Sequence, residues 1–287
     1  MRNRLIMMML AMLMVQCANK DPRQTTSFNN DWRFSLSADS TAVRPDYDDS
    51  QWRTLDLPHD WSIEGEFSAD HPATPGGGAL PGGLGWYRKQ LTLAPVDSSR
   101  RILLRFDGIY MNSRVFVNGQ LAGYRPCGYI GFEYDITSLL HFDNKPNTIA
   151  VEVDNSKQPN SRWYSGCGIY RHVWLTKANA IHVKHWGVHV HDGKVEVDYE
   201  NPTGQKVTVK NVWLDANGRP TSIKKPRKWS CEDPYIYKVR TQLIAGGKVV
   251  DEVETTTGFR DFRFDAKTGF WLNGKNMKLN GVCEHHD

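Results

Sequence analysis

The chain has 287 residues, a formal charge of +4, and 10 Trp, 11 Tyr, 11 Phe, 24 Gly and 14 Pro. This length suits two domains with a sizeable core, and the aromatic, Gly and Pro content favours short strands and turns over helices. Near-balanced charge excludes a polybasic nucleic-acid face, and the basic run Lys224–Lys228, broken by Pro226, reads as a solvated loop.

Residues 1–17 read as an export signal. Arg2 and Arg4 form a basic start, Leu5–Val15 are almost wholly apolar, and Cys17 follows. The apolar run is too short to span a bilayer. A Cys at that point resembles a bacterial lipoprotein processing site, with Cys17 the lipidated residue, although Gln16 stands where a small residue is expected. Plain secretion and an uncleaved anchor are the other readings. The expected location is the cell envelope, with the membrane reached only through a lipid anchor.

Period-2 alternation dominates the rest of the chain, and no stretch carries a helical apolar stripe. Ile102–Phe106 reads as a strand, and Val115–Val117 as another, closed by the hairpin pair Asn118-Gly119. Ile149, Val151 and Val153 mark a half-buried strand, and Tyr170–Thr176 one more. Residues 26–178 are therefore expected to form a two-sheet sandwich of jelly-roll type. A second β unit, 180–258, has strand candidates at 181–190, 194–199, 207–214, 235–244 and 248–254, with turns at Asn217-Gly218 and Gly246-Gly247. An immunoglobulin-like sandwich takes about seven strands, so this one looks shortened. In the remainder, 259–287, Phe270–Lys275 signals a hairpin and Met277–Val282 a further strand.

That strand leads into Gly281-Val282-Cys283-Glu284-His285-His286-Asp287, a His–carboxylate cluster at a strand's C-terminal mouth, where parallel sheets and barrels place their chemistry. A frayed terminus is the plainer reading. His182, His185, His189 and His191 form the densest His group, but no acidic or Cys partner falls at ligand spacing, and no metal site is assigned. Cys127, Cys167, Cys231 and Cys283 include no C-x-x-C pair and imply no disulfide pairing. The Gly-rich run Pro75–Gly83 lacks the Lys-Ser/Thr of a phosphate loop and reads as surface.

Three ordered stretches carry a resemblance. They are Leu57-Pro58-His59-Asp60-Trp61 with Gly85-Trp86-Tyr87-Arg88-Lys89; Ser161-Arg162-Trp163-Tyr164-Ser165-Gly166-Cys167-Gly168-Ile169-Tyr170-Arg171 with Val173-Trp174-Leu175; and Gly258-Phe259-Arg260 through Phe264-Asp265 and Phe270-x-Leu272-Asn273-Gly274-Lys275 to the closing segment. Together they resemble glycoside hydrolase family 2, in its β-galactosidase-type branch.

The resemblance implies an all-β chain: a jelly-roll sugar-binding domain, a shortened immunoglobulin-like domain, and the first strand of an absent TIM barrel. It implies a retaining glycosidase acting on terminal β-galactosides, with two carboxylates about 5 Å apart. Both are glutamates past the His285–His286 segment, so no catalytic residue is assigned and the chain alone is expected to be inactive. No cofactor is implied. In the family His285 would contact sugar hydroxyls. Some members place an aspartate beside the sugar where this chain has Arg162; no catalytic role passes to it, but an Arg there can donate to a hydroxyl. Trp86, Trp163 and Tyr164 could stack on a sugar, with core packing as the alternative. Arg88 and Arg171 are expected to pair with carboxylates inside the domain. The competing reading is a non-catalytic carbohydrate-binding surface lipoprotein, and the blandest a remnant that folds in part.

Overall fold

A computed structural model describes residues 21–160 and 164–283. The first unit runs through β1 (Gln24–Ser27), β2 (Trp32–Leu36), β3 (Arg53–Leu55), β4 (Gly83–Thr92), β5 (Arg101–Phe106), β6 (Ser113–Val117), β7 (Gln120–Arg125), β8 (Phe132–Asp135), β9 (Pro146–Asn155) and β10 (Val173–Ala178). All pairings are antiparallel. One sheet has the order β1-β10-β5-β8, the other β3-β2-β4-β9-β6-β7. Alternate residues of both sheets meet in one core that includes Trp32, Tyr87, Phe106, Val115, Ile149, Val151 and Ile169.

β9 corrects the half-buried expectation. Its Ile149, Val151 and Val153 face the core, yet Ala150 is buried on the opposite side with Trp86 and Ala42. A segment running through Val43, Tyr47 and Trp52 lies over that outer face. Arg88 fastens it: its Nε donates to Asp49 Oδ2 at 2.8 Å and its Nη1 to Arg44 O at 3.0 Å. Alternation in β9 records only the face the chain was expected to bury.

The second unit has five strands. β11 (His182–His191) pairs with β12 (Lys194–Glu200), and β13 (Val207–Leu214), β14 (Tyr237–Ala245) and β15 (Lys248–Thr257) form a three-stranded sheet. Its fully buried cluster is small, comprising Ile181, Val183, Leu243 and Ala245, with Val188, Val197, Tyr199 and Val253 partly covered around it. β12 and β13 each keep one edge without a strand partner among the described residues. The shortened immunoglobulin-like sandwich is thus present with open edges.

The two units are joined by a buried ion pair. Arg23 Nε and Nη2 donate to Asp251 Oδ1 and Oδ2 at 3.0 and 2.8 Å, and Asp251 Oδ2 also accepts from Val183 N at 2.7 Å. The Asp251 side chain is wholly buried.

A last meander, β16 (Phe262–Asp265), β17 (Gly269–Leu272) and β18 (Lys275–Asn276), contains the expected hairpin. The strand expected over Met277–Val282 is not formed. After Met277 N donates to Phe270 O at 3.0 Å the ladder stops, and Leu279 and Val282 are exposed. Apolar alternation makes a strand only beside a partner, and no described strand lies there. The strand expected from Tyr170 begins instead at Val173, because residues 164–172 leave the sheet as a loop.

Candidate functional site

The loop after β9 carries the motif positions 161–171, and the structure shows how its described part is held. Asp60 is the pin. Its Oδ1 accepts from Ser62 N at 2.9 Å and Cys167 N at 2.8 Å, and its Oδ2 accepts the Tyr164 hydroxyl at 2.6 Å. Burial, reinforced by the Asp60 carboxylate, pushes the Tyr164 hydroxyl far above its usual range, so it remains a donor. Backbone bonds complete the seam: His59 N to Ile169 O at 2.9 Å, Trp61 N to Cys167 O at 3.1 Å, and Gly168 N to Tyr110 O at 2.9 Å.

Behind Asp60 a polar chain runs from the exposed Arg53 and Glu64 to the buried His59 and Tyr87. Arg53 Nη2 lies 2.8 Å from His59 Nε2 and 2.7 Å from Glu64 Oε2, and His59 Nδ1 lies 2.7 Å from the Tyr87 hydroxyl. A guanidinium only donates, so Nε2 accepts and the ring proton sits on Nδ1, donating to Tyr87. Burial lowers the His59 pKa, with Glu64 pulling the other way. That agrees with a neutral ring, and so the 3.4 Å approach of Nε2 to the Glu64 carboxylate is not an ion pair. The Tyr87 hydroxyl accepts from Ile169 N at 3.4 Å.

Two glycines of the motif are required by close approach. A Cβ on Gly166 would lie 2.4 Å from Asp60 Oδ2. Gly168 has φ +120°, and a Cβ there would lie 2.3 Å from the Tyr87 hydroxyl. On the other flank, Asn155 Nδ2 donates to Cys167 Sγ at 2.9 Å, and the Tyr110 hydroxyl donates to Asn160 Oδ1 at 3.1 Å. The Gly-rich run 75–83 packs against this site: Trp61 Nε1 donates to Gly82 O at 3.0 Å, and Ser62 Oγ to Pro81 O at 2.6 Å. The arrangement is a collar that holds the chain at Asn160 and at residues 164–169.

Arg162, Trp163 and His285, the three substrate-contact candidates, lie outside the described residues, as do Glu284, His286, Asp287 and the lipidation candidate Cys17. Tyr164 is present in the collar. Trp86 is only 1% exposed and stacks on Phe116 with ring centroids 6.0 Å apart, so it is core. Arg88 pairs with Asp49 as expected. Arg171 corrects its expectation: it is exposed and makes no ion pair among the described residues, because no carboxylate of the loop reaches it. The four His do not converge. The His182 Nδ1 lies 2.9 Å from Asn179 O, His185 stacks on Trp186, His189 faces Asp198 at 3.1 Å and His191 faces Asp192 at 3.1 Å. The Asp198 partner comes from the paired strand, which spacing along one strand does not reveal. No group of three metal-ligating side chains occurs among the described residues. Cys127, Cys167, Cys231 and Cys283 are free thiols. Sequence reasoning misses the part played by Asp60 because its partners are 104 and 107 residues away; its place in Leu57–Trp61 is the available signal.

The described chain is thus a jelly roll with a pinned end loop, followed by a second β-sandwich. Residues 25–179 match the sugar binding domain of Glycosyl hydrolases family 2, and residues 177–260 match Glycosyl hydrolases family 2. The chain belongs to this family. It is 44% identical to the beta-galactosidase BoGH2A of Bacteroides ovatus, over 93% of this chain and 35% of that protein. It is 31% identical to a beta-glucuronidase of Bacteroides fragilis, over 92% of this chain and 42% of that one. Among solved structures, a beta-glycosidase from Bacteroides vulgatus superposes with a TM-score of 0.85 at 36% identity, covering 91% of this chain and 37% of its own. The chain thus spans about a third of the length of the relatives it matches.

Proposed function

We propose that these residues are the amino-terminal sugar-binding and immunoglobulin-like part of a retaining β-galactosidase-like hydrolase of terminal β-galactosides. The observation that carries this reading is the 44% identity to a beta-galactosidase along nearly the whole chain. The Asp60 collar supports it by holding Tyr164 and Cys167 of the motif that the family resemblance rests on. A β-glucuronide substrate is the second reading, favoured by the beta-glucuronidase relative.

The 287 residues alone are proposed to be inactive, since neither glutamate of the retaining reaction is assigned among them. A chromogenic β-galactoside and its β-glucuronide counterpart, offered to the purified protein, test this. No turnover of either is expected, and clear turnover overturns the proposed inactivity. The DNA after codon 287 tests the hydrolase reading: continuation in barrel-like βα repeats supports it, and an unrelated continuation counts against it.

Export through residues 1–17 with lipid attached at Cys17 belongs to the same proposal. Radiolabelled fatty acid fed to expressing bacteria should enter the wild-type protein and not Cys17→Ala. Equal labelling of both, or of neither, overturns the anchor.

A further inference from the structure

Trp186 is an outlier in both conformation and exposure. It lies in β11 where the register with β12 shifts between Val183 and Val188, and it has φ +56°. A bulky residue in the left-handed region is uncommon, and such conformations persist where the surrounding structure and function demand them. The consequence here is a tryptophan 66% exposed, braced on one side by His185 at 4.3 Å and an interplanar angle of 29°. Core packing does not explain this placement.

The surroundings of Trp186 have the chemistry of a ligand site. Two clefts, of 390 and 360 Å³, share Arg105, His185 and Trp186 along the seam between the first and second units. Ligand clefts run from about 300 to 1,000 Å³. The first cleft is also lined by Glu133, whose carboxylate makes no hydrogen bond or ion pair with any described residue. Burial raises the Glu133 pKa, with Arg23 and Arg105 opposing. The second cleft adds Tyr129, also 66% exposed, and Arg171, whose guanidinium has no ion-pair partner among the described residues. Asp107 is already engaged, accepting from Trp174 Nε1 at 2.8 Å and lying 3.2 Å from Arg105 Nε.

An exposed indole, with an unpaired carboxylate in one of its two clefts and an unpaired guanidinium in the other, offers the groups that recognise linked pyranoses. The aromatic face covers the ring's C–H face, the carboxylate accepts from neighbouring hydroxyls, and the guanidinium donates to others. We propose that this seam is a carbohydrate-binding site for an uncharged disaccharide that spans the two clefts, one ring stacked on Trp186, with Glu133 hydrogen-bonding it in the first cleft and Arg171 in the second. The cations that line the first cleft, Arg23, Arg105 and Lys184, are held by Asp251, Asp107 and Glu200, so its unpaired carboxylate disfavours an acidic sugar. The cleft binds its sugar whether or not a longer protein hydrolyses galactosides, because none of these residues belongs to the 164–168 collar.

The test is a two-dimensional NMR titration of the 287-residue protein with lactose, cellobiose and sodium glucuronate. The Trp186 indole signal is assigned by its loss in Trp186→Phe. A saturable shift of that signal with lactose or cellobiose is expected, with glucuronate at least about tenfold weaker. Glu133→Ala should weaken the disaccharides about tenfold, and Trp186→Ala should abolish binding, while Trp186→Phe retains part of it. Amide dispersion reports whether each variant is folded, and Glu133→Ala, outside the bulge, stands in if Trp186→Ala is not. No Trp186 shift up to ~100 mM saccharide overturns the proposal, as does unchanged affinity in folded Glu133→Ala and Trp186→Ala. Glucuronate binding as tightly as the neutral sugars overturns the assignment of an uncharged ligand.

Discussion

Asp60 Oδ2 accepts the Tyr164 hydroxyl at 2.6 Å, across 104 residues of chain. One carboxylate thereby ties the Leu57–Trp61 motif to the loop that carries positions 161–171, while its other oxygen takes two backbone amides. Removing the carboxylate strands three donors at once. Asp60→Ala should lower stability by about 2–3 kcal/mol, and Tyr164→Phe by only about 1 kcal/mol. Urea denaturation of both variants and of the double mutant checks this; an Asp60→Ala midpoint equal to that of wild type would sink the pin.

Gly168 separates backbone strain from steric overlap. Its φ of +120° penalises any side chain, and its missing Cβ leaves room for the Tyr87 hydroxyl. Gly168→Ala should cost more than about 1 kcal/mol. Placing it in a Tyr87→Phe background relieves only the overlap, so the cost should shrink without vanishing. Thermal melts of the four proteins in this cycle give the answer, and a cost that is the same in both backgrounds would show that the hydroxyl contact is irrelevant.

Arg23 and Asp251 make a buried pair whose acidic member is fully enclosed. Breaking one half leaves the other charge uncompensated. Arg23→Ala should destabilise by about 3–5 kcal/mol, and the second unit should melt in a separate, earlier calorimetric transition. A single transition at the wild-type temperature would refute the coupling.

His59 predicts acid sensitivity. Burial holds its folded pKa below the unfolded value of about 6.5, with Arg53 adding to the effect and Glu64 and Asp60 opposing it. The neutral ring's contribution is therefore complete above about pH 6.5 and is lost as pH falls through the window beneath. His185, also lowered by burial, adds to the same slope. His59→Gln should flatten the fall in melting temperature between about pH 6.5 and 5. An unchanged slope would remove His59 from the explanation.

Much of the fold is legible in the sequence because antiparallel strands with one buried face announce themselves by alternation. The five strands of the second unit fall within a few residues of their expected places, and Asn118-Gly119 turns where its chemistry requires. What alternation does not encode is the state of the other face. Ala150 reads as exposed, whereas the Val43–Trp52 segment covers it. Met277, Leu279 and Val282 alternate as well as any strand, but no described neighbour gives them a ladder. The collar is hidden for a different reason. Asp60 meets Tyr164 across 104 residues and Tyr87 meets Ile169 across 82, so only tertiary packing brings them together. The Trp186 bulge is hidden too, since its left-handed backbone has no signature beyond the glycine after it.

Arg23 sits just before β1, and its guanidinium reaches Asp251 Oδ2 and Val183 O at 2.8 and 2.7 Å. It holds both units at once. Tension applied at the leading end of the molecule would therefore divide there, shearing β1 from β10 while also loading the second sandwich through a single side chain. A body hung from that end would swing as one piece instead of as two beads on a string.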